Sequence, residues 1–193
     1  MKKTVYAALL AALLIPATTK KTGESYLSDH KTRYKEYITI YVPPSKEDIR
    51  DFISSKKLKN KYLSPESIED MINRESAFNF MAVNQKTGAR GLMQLTRTAW
   101  EDVNPGISYG EQWFNPEENL ETGIKYLNWL VRAISENNPR WERLNNKEKR
   151  DLIIAGYNWG YGNLKASRWN MKKAPDETKN YVAFMNRSAK RRR

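Results

Sequence analysis

With 193 residues, 39% of them hydrophobic and 11% aromatic, the chain has room for one domain with a buried core plus an extension. It contains no cysteine, which excludes a disulfide framework, a thiol nucleophile and thiolate metal sites. The 34 Lys plus Arg against 22 Asp plus Glu leave a net charge of +12, enough to gather polyanions at the surface without naming an activity.

Lys2 and Lys3 precede an apolar run from Thr4 to about Pro16 and small residues at Ala17 to Thr19, the layout of a secretory signal peptide over 1–19. The run is shorter than the ~20 residues a spanning helix needs. The chain is therefore expected to be exported, periplasmic or extracellular, with a membrane involved only where an uncleaved leader acts as a tether. Residues 20–63 are rich in Lys, Tyr and Ser, include Pro43-Pro44, and show only a weak helical pattern around Ile49, Phe52 and Ile53. They read as an N-terminal extension of uncertain order, with the clearest strand signal of the chain at Tyr37 to Val42.

From Ser64 the signals sharpen. Ser64 can cap a helix whose first position is Pro65, with Glu66 favourably placed against the helix dipole, so the pattern predicts a helix over 65 to about 76. A second helix is predicted from Pro116 to about Glu136, capped by Asn115, with Leu120, Ile124, Leu127, Val131 and Ile134 as its apolar seam. A third is predicted to start after Asn146 and carry Leu152, Ile153, Gly156 and Tyr157 on one face until Gly160 and Gly162 break it. Shorter helical turns are predicted at about 163–170 and 177–190. The result is a mainly α domain over 64–187, followed by a basic tail at 188–193.

Ile68, Met71, Ile72 and Glu75 fall at i, i+3, i+4 and i+7, so the helical period puts a carboxylate on an apolar stripe. Burial there disfavours the charged form, raises the pKa and makes a general acid. Taken by itself the stripe also fits a glutamate that reaches solvent or pairs with Arg74 or Arg90. In Gly88-Ala89-Arg90-Gly91-Leu92-Met93-Gln94, two glycines frame a tight loop, and Gln94 offers the donor and acceptor that sugar acetamides and hydroxyls need.

Glu75-Ser76, Gly88-Ala89 with Gly91-Leu92-Met93-Gln94, Asn119 with Gly123 and Tyr126-Leu127, Tyr157-Asn158 with Gly160, and Glu177-Thr178 with Tyr181 follow one another in an order that resembles the catalytic domain of soluble lytic transglycosylases. The resemblance covers about 65–185. It implies a lysozyme-like helical fold with a glycan groove, peptidoglycan strands as the partner, and no cofactor or metal. It further implies that Glu75 protonates the oxygen bridging N-acetylmuramic acid and N-acetylglucosamine and then acts as base, leaving 1,6-anhydro ends. Gln94 and Tyr157 are expected to line the groove, Asn119 and Asn158 to hold groove or supporting positions, and Tyr181 to wall the site near the carboxylate. Three departures stand out: Asn84 where some relatives have Ser, one extra residue between the Glu and the Gln compared with some members, and Arg97 where Pro often follows the glutamine motif. A monomer is expected, and secretion, conjugation or phage machinery are all compatible contexts.

A lysozyme-type hydrolase would need a second carboxylate, for which Glu101, Asp102 and Glu111 are the nearest in sequence. A zinc enzyme would need several His or Cys ligands, whereas the chain has one histidine, His30, outside the domain. The basic C-terminus also fits a non-catalytic binder of nucleic acid, against which the leader and the missing phosphate loop both count.

Overall fold

The computed structural model describes residues 44–56 and 61–191. The leader, the predicted run Tyr37 to Val42 and the rest of residues 20–43 lie outside that range. Eight α-helices are described in chain order: α1 (Lys46–Ser55), α2 (Pro65–Ser76), α3 (Arg97–Glu101), α4 (Tyr109–Gln112), α5 (Pro116–Asn137), α6 (Asn146–Trp159), α7 (Tyr161–Ala166) and α8 (Asp176–Arg191). Single 3-10 turns lie at Trp141–Arg143 and Met171–Lys173. Among the described residues the only β pairing is two isolated bridges, Val83 with Arg90 and Arg90 with Leu95, which close the loop between α2 and α3.

Each major helix starts where the sequence supplies acceptors for its unpaired first N–H groups. The Ser64 side chain accepts from Ser67 N at the head of α2, Asn115 from Glu117 N and Glu118 N at the head of α5, and Asn145 forms a capping box with Glu148 at the head of α6. The cap of α6 is thus Asn145 and Asn146 is its first helical residue. The chain leaves α6 through Gly160 at φ +90, a conformation that costs a Cβ-bearing residue about 1 kcal/mol or more, and turns directly into α7.

Helix α5 runs through the centre, with Leu120, Ile124, Leu127, Leu130 and Ile134 buried. Val131 is half-buried, so Leu130 takes the inward place that the seam gave to Val131. Helix α6 packs against α5, α7 and α8, and α8 also packs on α2. The last helix is one continuous rod to Arg191, so much of the predicted basic tail is helical.

The predicted extension proves to contain a structured part. Ser45 and Asp48 form a capping box that starts α1, and Ile49 and Ile53 are buried in the same cluster as Ile68, Met71 and Ile72 of α2. Burying two isoleucines contributes about 1.5–3 kcal/mol each, enough to fix a ten-residue helix against its neighbour. Only a short apolar stripe, Ile49, Phe52 and Ile53, announced it.

Candidate active site

Glu75 is the next-to-last residue of α2, one position before the chain stops being helical. The stop is abrupt: Ala77 and Phe78 both adopt left-handed backbone, with φ of 50° and 66°. Non-glycine residues there cost roughly 1–2 kcal/mol each, a type of strain that gathers at functional sites. The turn places the Glu75 carboxyl, half-buried, where α2 meets α8 and the end of α6.

Burial is the main influence on that carboxyl and pushes its pKa from an ordinary 4.5 up to about 7. The nearby Tyr181 hydroxyl and the charge of Arg74 oppose the rise, while the charge of Glu177 adds to it. Tyr181 is 4% exposed, and among the described residues its hydroxyl has no other partner. Its contact with Glu75 is electrostatic and falls short of good hydrogen-bond geometry. Burial and then the Glu75 charge hold the hydroxyls of Tyr181 and Tyr157 well above the usual tyrosine range, so both stay protonated donors.

The loop Gly88–Gln94 is tied down on every side. The Tyr157 hydroxyl donates to Met93 O at 2.5 Å, and Met93 N donates to Asn119 Oδ1 at 2.9 Å. Asn119 Nδ2 donates to Arg90 O at 3.2 Å and to Trp113 O at 3.0 Å. Gly91 has φ +80, and a Cβ there would overlap the Asn119 amide, so the glycine is needed both for its conformation and for the close approach. Gln94, itself left-handed at φ 44°, donates from Nε2 to Gly91 O at 3.0 Å and Ala82 O at 3.1 Å.

These contacts sort the six expected site residues. Glu75, Tyr157 and Tyr181 come together around one carboxyl. Gln94 is half-buried and follows Met93, whose carbonyl Tyr157 holds, with its own amide nitrogen committed to the backbone. Asn119, expected in a groove or supporting position, is 1% exposed with both side-chain polar atoms engaged to the backbone of the loop and of Trp113, a supporting arrangement. Asn158 Oδ1 accepts from Thr178 Oγ1 at 2.8 Å, which fastens the first turn of α8 to the end of α6.

Glu101, Asp102 and Glu111 are not among the charges acting on Glu75, which come from Arg74 and Glu177. Glu101 pairs instead with Arg97 at 3.5 Å. Glu177 lies on the same face of α8 as Tyr181, one turn earlier, and that i, i+4 spacing was available in the sequence. Two of the departures from the resemblance have local explanations. Asn84 Oδ1 accepts from Lys86 N and Thr87 N, doing the turn-forming work of a serine, and Arg97 is the first residue of a helix capped by Thr96.

The sequence model of the transglycosylase SLT domain matches residues 52–181, beginning inside α1 and ending at Tyr181. The chain is 36% identical over 119 residues to the membrane-bound lytic murein transglycosylase C of Serratia proteamaculans (strain 568), covering 56% of this chain and 31% of that protein. It is 34% identical over 95 residues to the membrane-bound lytic murein transglycosylase F of Pseudoalteromonas translucida (strain TAC 125), covering 49% of this chain and 18% of that protein. The chain thus spans less than a third of the length of these relatives. With the match extending over most of the folded region, and the mainly helical architecture in agreement, the chain belongs to the transglycosylase SLT domain family.

Proposed function

We propose that this protein is exported and cleaves the glycan strands of peptidoglycan as a lytic transglycosylase, with Glu75 as its acid and base. The observation that carries the reading is the Glu75 carboxyl, held up to about 7 by burial beside two tyrosine hydroxyls. At neutral pH a large fraction then carries the proton that a glycosidic oxygen must receive, and such proton transfer is worth typically 10²–10⁴ in rate. Family membership and the relatives named as murein transglycosylases support the substrate class.

In the first half, protonated Glu75 donates to the oxygen leaving C1 of N-acetylmuramic acid, and the C1–O bond breaks. In the second, the 6-hydroxyl oxygen of the same sugar bonds to C1, and its proton passes to the Glu75 carboxylate. The acid is regenerated and no water is consumed. Tyr181 supports the interval between the two halves, because its hydroxyl can donate to the carboxylate while Glu75 is ionised. Tyr157, Asn119 and Gln94 keep the Gly88–Gln94 loop in place as the opposing wall.

Glu177 favours one alternative, since a second carboxylate near the acid can activate water and give lysozyme-type hydrolysis. Digestion of purified sacculi by the wild type and by Glu75→Gln tests the reading. The wild type is expected to release muropeptides and the variant almost none. Release by the variant at the wild-type rate would refute Glu75 as the acid.

A further inference from the structure

A cavity of about 580 Å³, whose lining does not include Glu75, opens between the end of α1, the end of α3 and the outer edge of α5. Its walls include Lys56, Asp102, Glu121, Lys125, Trp129 and Arg132. An aromatic line connects it to the catalytic cluster. The rings of Tyr157 and Tyr126 have centroids 5.9 Å apart, and Tyr126 stacks on Trp129 at 5.5 Å with an interplanar angle of 11°. Trp129, half-buried, is braced edge-on by Tyr161 at 5.1 Å and lines the cavity. The charge of Asp102 reaches the buried hydroxyl of Tyr126, so wall and line are electrostatically continuous.

The floor is a fixed polar lattice. Lys125 Nζ donates to Asn104 Oδ1 at 3.1 Å, and buried Asn104 donates to Thr122 at 2.6 Å. Glu121 receives Lys56 at 2.8 Å and Lys125 at 3.3 Å, which uses its charge internally. Arg132 differs: it is exposed, and among the described residues its guanidinium makes no hydrogen bond or ion pair. A rigid aromatic surface next to an uncommitted guanidinium suits a sugar ring whose side arm ends in a carboxylate, the ring lying on the indole and the carboxylate accepting two N–H bonds.

We propose that this cavity is a distal binding site for the same glycan strand, in which Trp129 takes a sugar ring and Arg132 the carboxylate of its lactyl-peptide arm. The proposal rests on the peptidoglycan reading above and extends it from the point of cleavage to the length of strand engaged. It gives α5, outside the catalytic cluster, a preference for peptide-bearing strands.

Kinetics on solubilised glycan strands, native and with their carboxylates amidated, test it with Arg132→Gln and Trp129→Ala. Arg132→Gln is expected to raise KM about tenfold on native strands, as for one lost charge-assisted contact, with a smaller rise on amidated strands. Trp129→Ala is expected to raise KM on both. No change in KM for Arg132→Gln, or an equal change on both substrates, would overturn the proposal. Trp129 packs on Tyr126 and Tyr161, so the exposed Arg132 decides if the tryptophan variant fails to fold. Co-sedimentation of Glu75→Gln and Glu75→Gln/Arg132→Gln with native and amidated sacculi keeps the two claims separable. Weaker capture from native sacculi alone supports the distal site even if the wild type cleaves nothing. Equal capture of both proteins by both sacculi, with cleavage by the wild type intact, contradicts the distal site alone.

Discussion

The hydroxyl of Tyr181 faces the carboxyl of Glu75, across the junction of α8 and α2, with no other partner among the described residues. It favours the ionised carboxylate and so pulls the Glu75 pKa down against the effect of burial. In Tyr181→Phe that opposition is gone, and Glu75 keeps its proton to higher pH. The alkaline limb of the pH–rate profile is expected to move up, while kcat at neutral pH falls about tenfold because the carboxylate loses a donor. An alkaline limb that stays in place would mean that this hydroxyl does not act on Glu75.

Burial that makes Glu75 an acid also weakens the fold in a defined pH window. Below its ordinary 4.5 the carboxyl is neutral whether the chain is folded or unfolded, and no penalty exists. Between 4.5 and about 7 the unfolded chain ionises while the folded one holds its proton, so stability falls as pH rises. Above about 7 the loss is complete, at most about 3 kcal/mol for a rise of this size. Glu75→Gln lacks the titration. It is expected to exceed the wild type in stability at pH 8, with the advantage gone below pH 4.5, as read by denaturant unfolding at the two pH values.

Asn119→Ala removes three hydrogen bonds that hold Arg90, Met93 and Trp113 to α5 and leaves the buried Met93 N–H without its acceptor. A loss of about 2–4 kcal/mol is expected in unfolding measurements, from roughly 1 kcal/mol per bond plus the orphaned donor. Since Asn119 is buried beneath the loop, the remaining folded enzyme should show its kinetic defect through a misplaced loop. Asn119→Asp, which turns a carboxyl oxygen toward Arg90 O and Trp113 O in a site 1% exposed, should recover no activity over the alanine.

Much of this was legible because helix signals are local. Ser64-Pro65 and Asn115-Pro116 mark their own caps, and the stripe Ile68, Met71, Ile72, Glu75 sets the carboxylate against the core without knowledge of its neighbours; the capping box of Asn145 with Glu148 was equally local but went unread, which put the start of α6 one residue late. What stayed hidden depends on contacts distant in sequence. The burial of Ile49 and Ile53 is decided by α2, some 20 residues away, so α1 read as part of an extension. That Asn119 serves the loop could not be settled, because its partners lie up to 29 residues upstream in a loop whose path no periodicity fixes. Glu177 was within reach: its spacing from Tyr181 places both on one helical face, but only packing onto α2 brings that face to Glu75.

The central claim is that Glu75 drives a cleavage in which the substrate's own hydroxyl, not water, closes on C1. Digestion of sacculi in water enriched in oxygen-18, followed by mass spectrometry of the muropeptides from the wild type and Glu75→Gln, tests it most directly. The account predicts Glu75-dependent anhydromuramic ends that carry no heavy oxygen. Glu75-dependent reducing ends that each carry one heavy oxygen would contradict it and establish hydrolysis.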